Sequence, residues 1–349
     1  MSHAAPASLA EIDHAADVLA RGELAAFPTE TVYGLGADAE NPEAVARIYA
    51  AKGRPSNHPV IVHVAPEADL SYWAGDIPPL ARALIDAFWP GPLTLILPRA
   101  AHIPDTVSGG QDSVGLRCPS HPVAQQLLRA FAKRRGGHGG VAAPSANKFG
   151  QVSPTHAAHV RSEFPELVAA GMPVLEGGAS EVGIESTILD LSRLDSVGPV
   201  LLRPGHVTAA RIAEVTGSQP ALPDAAAPRV SGSLKAHYAP RTPLRLAGSA
   251  TLAALATGQG LPATGRYVLV SHTRAQAPAG LSPRVDWHAA PADADAYAAG
   301  LYAMLRSLDL QGYAGIVLEA PPEAANWLAV RDRVGRAAAA FDADGGAAT

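Results

Sequence analysis

Two hydrophobic periods alternate along the chain. Apolar residues at spacings of three and four mark amphipathic helices, and short unbroken apolar runs between turn residues mark buried strands. Ser8-Leu9-Ala10-Glu11 has the form of a capping box, with Leu9, Ile12, Ala16 and Leu19 on one helical face and Gly22 ending the helix. Leu24 to Phe27 is a short strand stopped by Pro28. Asn41-Pro42 opens a helix to about Lys52, with Asn as N-cap and Pro at the first helical position. The pattern then predicts a strand over Pro59–Val64, a helix over Pro78–Phe88 and strands over Leu93–Leu97 and Val114–Cys118. A helix over His121–Arg135, a strand over Gly140–Ala143 and a helix over Thr155–Phe164 follow. Strands Thr187–Leu191 and Val200–Arg203 and helix Thr208–Thr216 complete the first part. This alternation predicts an α/β fold, and its many short strands suggest a twisted mixed sheet.

Between Gly217 and Pro240 the periodicity disappears into Pro, Ala, Ser and Gly, as in a linker. A second α/β unit follows: strand Tyr267–Ser271, helix Ala292–Leu308, strand Gly315–Glu319 and helix Pro322–Phe341. At about a hundred residues it is large enough to be a domain. The expected organisation is 1–216, a linker over 217–240, and 241–349. A chain of 349 residues accommodates two cores, since 48% of its residues are hydrophobic. The net charge of −5 argues against coating nucleic acid by bulk charge, although a local basic groove stays open. The single cysteine, Cys118, permits no intrachain disulfide and no thiolate zinc site, and reads as a small strand hydrophobe. No signal peptide is expected, and no run approaches the roughly 18 apolar residues of a membrane span.

Several segments could carry chemistry. Pro28-Thr29-Glu30-Thr31-Val32-Tyr33-Gly34-Leu35-Gly36 is a hydroxyl-rich, Gly-containing stretch after a strand, suited to a small polar ligand but, on composition alone, more readily an ordinary strand-to-helix turn. Lys52-Gly53-Arg54-Pro55-Ser56-Asn57-His58 places two cations at a helix end. Dipole complementation explains Lys52, while two cations on one loop also suit a polyphosphate. Arg117 interrupts an apolar strand and faces either solvent or a pocket, where it would clamp a carboxylate. Pro144-Ser145-Ala146-Asn147, with Ser153, offers close backbone approach and neutral hydrogen bonds. Gly183-Ile184-Glu185-Ser186-Thr187 and Arg203-Pro204-Gly205 complete the set. Neither a Walker loop nor a GxGxxG fingerprint occurs. His156 and His159 have helical spacing but lack a third metal ligand nearby. Lys133-Arg134-Arg135 reads as a solvated helix end.

No one of these segments is specific, but their order is. The string from Pro28 to Gly36, the Lys-x-Arg-Pro-x-Asn string, Phe88-Trp89-Pro90-Gly91-Pro92-Leu93-Thr94, the Arg117 strand, Pro144 to Asn147 and Glu185-Ser186-Thr187 together resemble the YrdC-like L-threonylcarbamoyladenylate synthase family over residues 8 to 216. Lys235-Ala236-His237-Tyr238-Ala239-Pro240 and the α/β unit after it resemble the long two-domain form, although Ser233-Leu234 stands where a Gly-Met pair is usual. The resemblance implies a twisted mixed-sheet YrdC-like domain and a smaller C-terminal Rossmann-like α/β domain.

It further implies a cytoplasmic, ATP-dependent nucleotidyltransferase. L-threonine, bicarbonate (or CO2) and Mg²⁺-bound ATP would give threonylcarbamoyl-AMP and pyrophosphate, for threonylcarbamoyladenosine formation at position 37 of tRNA by a separate downstream threonylcarbamoyl transferase. Thr31, His63, Arg117, Ala143 and Ser186 would line the threonine site. Lys52, Arg54, His58, Ser113, Ser145, Asn147, Ser153, Arg203, His237 and Tyr238 would hold ATP, with Lys52 and Arg54 closest to the chemistry and the two linker residues folding over the nucleotide. No protein-bound metal, no permanently bound cofactor and no membrane contact are implied, and weak tRNA contact stays open. The reaction needs alignment and charge neutralisation more than a protein nucleophile. Rival readings are an RNA-binding module, disfavoured by charge and by the lack of stacking aromatics, and a carbamoyl-adenylate former with another amine or carbamoyl donor. Proteins of the latter kind usually carry acylphosphatase or zinc-finger modules, which this chain lacks.

Overall fold

The computed structural model of the chain describes residues 5–342. It divides into two compact units: residues up to Phe149 with Ser153–Ser233, and Gly150–Val152 with Leu234 onward. The expected linker is thus shared between them, its first part counting with the first unit.

The first unit is built on an eight-stranded mixed sheet of β1 (Ala25–Phe27), β2 (Gly34–Asp38), β3 (Ile61–His63), β4 (Leu93–Pro98), β5 (Ser113–Arg117), β6 (Val141–Ala142), β7 (Thr187–Asp190) and β8 (Val200–Arg203). Their order is β1-β2-β6-β3-β5-β4-β7-β8. The pairs β3–β5 and β4–β7 are parallel and the others antiparallel. Helix α1 (Leu9–Ala20) opens with the expected capping box, and α2 (Pro42–Lys52) with the expected Asn41 cap. Helices α3 (Pro79–Phe88), α4 (Pro122–Arg134), α5 (Ala157–Glu163), α6 (Pro165–Ala169), α7 (Leu194–Val197) and α8 (Ala209–Thr216) follow. Trp73, Leu35, Val62, Leu95, Leu116 and Leu189 are among the side chains of the main core.

Several expectations are corrected. Leu9 is 70% exposed; Ile12, Ala15, Ala16 and Leu19 form the buried face of α1. β2 was not expected, because Gly34, Gly36 and Asp38 disfavour strands. Its burial on both faces requires small residues: a Cβ on Gly36 would stand 2.8 Å from Val141 Cγ1 and 3.1 Å from the Ala25 carbonyl. In Lys133-Arg134-Arg135, Lys133 and Arg135 are exposed as expected of a helix end, but both arginines also reach acidic partners. Arg134 pairs with Asp13 and Asp17, and Arg135 with Asp38 and Glu40.

The second unit has a four-stranded all-parallel sheet, ordered β11-β10-β12-β9, with β9 (Leu244–Ala247), β10 (Tyr267–Ser271), β11 (Val285–Ala289) and β12 (Gly315–Glu319). Its helices are α9 (Ser249–Ala256), α10 (Ala294–Asp309) and α11 (Leu328–Ala339). The sequence pattern finds β10, β12 and α10. It misses β9, α9 and β11, and it starts the last helix early, since a 3-10 turn over Ala325–Trp327 precedes α11. At the carboxyl edge of this sheet Glu319 accepts from the hydroxyls of Ser249 (2.5 Å), Ser271 (2.6 Å) and Thr273 (2.8 Å) and from the amides of His272 and Thr273. Among the described residues, no helix is long and apolar enough to cross a membrane.

Candidate functional site

β5 delivers Arg117 to the interior, at 4% exposure, so the side chain does not face solvent. Its Nη2 donates to Glu30 Oε1 at 2.6 Å and its Nε to the Gly91 carbonyl at 3.3 Å. The other carboxylate oxygen of Glu30 accepts from the Ser120 amide at 3.1 Å. Gly91 belongs to the Phe88–Pro92 loop, which contains a cis Trp89–Pro90 bond, and a Cβ there would come within 2.3 Å of the Phe88 carbonyl oxygen. The loop's glycine therefore lets the chain turn tightly enough to present its carbonyl to Arg117.

The parallel register sets His63 opposite Arg117. Burial, reinforced by the Arg117 cation, pushes the His63 imidazole down to about 3, so the ring is neutral. Its Nδ1 is buried with no hydrogen-bond partner among the described residues. Thr31 is fully buried, and its hydroxyl lies 2.9 Å from that of Thr29. Thr29 Oγ1 also donates to the Val32 carbonyl and accepts from the Thr31 and Val32 amides, folding the Pro28–Gly34 stretch onto one hydroxyl. Small Ala143 follows β6 and donates its amide to the Ile61 carbonyl.

Lys52 ends α2 but does not serve its own helix terminus. Its ammonium reaches the Ser145 and Asn147 carbonyls. Burial, with Arg54 as a neighbouring cation, holds that ammonium well below its ordinary value. Arg54 is itself buried and donates to the Pro59 carbonyl at 2.7 Å. His58 packs edge-on to Phe149 at 5.4 Å, and burial followed by Arg54 lowers its imidazole. Asn147 donates to the Lys148 carbonyl, and buried Ser153 donates to Glu185 Oε1 at 2.6 Å.

Ser186 bridges these segments to the sheet. Its hydroxyl lies 2.8 Å from that of Thr94 on β4, and Arg203 Nη2 donates to it at 3.2 Å. Arg203 also holds the Ser186 and Ser231 carbonyls. Ser113, at the start of β5, lines a pocket walled by Ile61, Ile96, Ile188 and Val230. Gln111 fastens the covering segment, accepting from the Arg229 amide at 2.7 Å and donating to the Arg229 carbonyl at 3.1 Å.

The first unit holds Thr31, His63, Arg117, Ala143, Lys52, Arg54, His58, Ser113, Ser145, Asn147, Ser153, Ser186 and Arg203; strand register sets His63 beside Arg117, and hydrogen bonds join Lys52 to Ser145 and Asn147 and Arg203 to Ser186. His237 and Tyr238 belong to the second unit. There Tyr238, at φ 62°, is buried with Arg333 5.2 Å above its ring and Tyr302 stacked at 5.8 Å. Sequence reasoning missed the roles of Glu30, Thr29 and Thr94. Thr29 carried a signal, since two threonines in a Pro-led turn invite a hydroxyl-to-backbone turn. Burial, with Glu30 nearby, raises the Cys118 thiol to about 12, which removes it as a nucleophile. His159 Nδ1 accepts from the Thr155 amide, and the described residues hold no group of three or more side chains suited to a metal ion.

A family model described as "Telomere recombination" matches residues 17–205, and one described as "Threonylcarbamoyl-AMP synthase, C-terminal domain" matches residues 207–339. A threonylcarbamoyl-AMP synthase of Bacillus subtilis is 38% identical over 333 residues, 94% of this chain and 93% of that one. One from Pyrococcus abyssi is 43% identical over 203 residues, covering 58% of this chain and 56% of that protein. The crystal structure of P. abyssi Sua5 complexed with L-threonine matches with a TM-score of 0.81 at 32% identity, covering 96% of this chain and 95% of that one. The chain belongs to the two-domain, YrdC-like threonylcarbamoyl-AMP synthase family.

Proposed function

We propose that this chain condenses L-threonine, bicarbonate (or CO2) and ATP into threonylcarbamoyl-AMP and pyrophosphate, in the cytoplasm. The observation that carries the reading is a buried Arg117, with a neutral His63 opposite it, in the same unit as the buried cations Lys52, Arg54 and Arg203. A guanidinium fixed through Nε and Nη2, with Nη1 left over, suits the amino acid's carboxylate. Thr31, His63, Ala143 and Ser186, small or neutral groups, are assigned to the rest of the threonine site. The pocket beside Ser113, with its isoleucine and valine walls, suits a purine. Lys52, Arg54, His58, Ser145, Asn147, Ser153 and Arg203 are assigned to the rest of ATP. His237 and Tyr238 are carried as nucleotide contacts on their motif alone.

The threonine amine adds to CO2, giving a carbamate and releasing a proton. A carbamate oxygen then attacks the α-phosphorus of Mg²⁺-bound ATP, and pyrophosphate leaves. The protein aligns three reactants and neutralises charge developing on the triphosphate, through Lys52 and Arg54 foremost. The product would supply a separate transferase that modifies position 37 of tRNA. The test is pyrophosphate release with single substrates omitted. Release must require threonine and bicarbonate together; ATP turnover indifferent to threonine would sink the proposal, and a salt-dependent tRNA shift without adenylate would favour an RNA-binding module.

A further inference from the structure

We propose that Glu30 is a positioning residue of the threonine site, acting through Arg117; the inference rests on reading Arg117 as the carboxylate clamp. A guanidinium offers five N–H donors in one plane. Here Nε is held by the Gly91 carbonyl and Nη2 by Glu30, two of the three nitrogens of that plane. The two bonds fix its orientation, and Nη1 carries no hydrogen bond to any described residue. Nη1 is the nitrogen left to donate to substrate.

Glu30 is itself immobilised. Its second oxygen takes the Ser120 amide, and its backbone carbonyl takes the Val182 amide. Its neighbours Thr29 and Thr31 are locked in the hydroxyl-centred turn. The ion pair therefore ties the loop bearing Thr31 to the strand bearing Arg117, and holds two threonine-lining residues in fixed relation. Both side chains are at or below 6% exposure, where a guanidinium without its carboxylate would be costly and would turn toward other acceptors.

The plain alternative is an ion pair that only supports the fold, and it makes a different prediction. Loss of a fold support lowers the melting temperature and leaves the substrate constants of the folded enzyme alone. The experiment measures pyrophosphate release by the full chain against threonine and against ATP, for Glu30→Gln, Glu30→Asp and Arg117→Lys, with melting temperatures alongside. For Glu30→Gln, threonine KM is expected to rise about tenfold or more while ATP KM stays within about twofold. Glu30→Asp keeps the charge but withdraws it by one methylene, and should raise threonine KM at least about threefold. If Glu30→Gln does not fold, the aspartate variant decides. An unchanged threonine KM in a folded Glu30 variant, or a parallel rise in both constants, overturns the proposal. If Arg117→Lys raises threonine KM and the Glu30 variants do not, only the role of Glu30 fails. If Arg117→Lys also leaves it unchanged, the clamp reading itself is wrong.

Discussion

Glu319 offers a prediction whose size can be worked out from its surroundings. The carboxylate is 2% exposed at the carboxyl edge of the second sheet. Burial raises its pKa, but the hydroxyls of Ser249, Ser271 and Thr273 and the Thr273 amide outweigh that and bring it to about 2, from 4.5. A folded pKa below the unfolded one means the unfolded chain binds the proton more tightly. The stabilisation is therefore complete above the unfolded value and is lost as pH falls from about 4.5 towards 2. At neutral pH it amounts to roughly 3 kcal/mol, taking about 1.4 kcal/mol per pKa unit. At pH 3 the same linkage leaves about 1.4 kcal/mol. Glu319→Gln should lose this stabilisation, and its gap from the parent chain should narrow by about 2 kcal/mol between pH 7 and pH 3. Urea unfolding of the full chain, followed by hydrogen exchange in peptides spanning β10 and β12, reads the second unit separately. A gap below about 1 kcal/mol at pH 7, or one that does not change with pH, would refute the reasoning.

Other outcomes follow from the first unit. Arg54→Ala is expected to abolish turnover while circular dichroism shows a folded chain; near-normal activity would remove Arg54 from the ATP site. Gly36→Val drives side-chain atoms into Val141 and the Ala25 carbonyl and should cost at least about 2–3 kcal/mol in chemical unfolding. Serine, which keeps the hydroxyl, should compete with threonine better than valine in the pyrophosphate assay, because a polar pocket punishes a missing hydroxyl more than a missing methyl. A chain ending at residue 216 loses Val230 from its contacts with Ile96 and Ile188 and Ser231 from Arg203, so its turnover should fall; full activity would free the catalytic unit from the linker.

Where one local signal dominated, the sequence was readable. Tyr267–Ser271 is an apolar run between turn residues, and Asn41-Pro42 carries its own cap chemistry; both elements lie where the pattern places them. β2 was illegible because its glycines answer to close neighbours, Val141 and Phe27, that only the fold supplies. The ion pairs of Arg134 and Arg135 left no trace because their partners Asp13, Asp17, Asp38 and Glu40 lie far away in sequence. The site behaved in the same way. Residue types and their order bring forward Arg117, Lys52 and Ser186 for the proposed site, but the pairing of Arg117 with Glu30 spans 87 positions and leaves no periodic trace.

The hydroxyls and cations of the first unit hold one another: Lys52 the Ser145 and Asn147 carbonyls, Ser153 the Glu185 carboxylate, Arg203 both Ser186 and Ser231. A ligand that takes up these particular partners trades bonds and does not simply add them, unlike one that meets Arg117 Nη1. Each exchange returns only the difference between two comparable hydrogen bonds, so little of the binding heat would come from these contacts. Selectivity then rests on matching every partner that is given up. A compound that displaces Arg203 from Ser231 without replacing that acceptor is penalised by the desolvated donor it leaves behind. If these residues form the proposed site, they would act there as an exchange board that rejects near-misses.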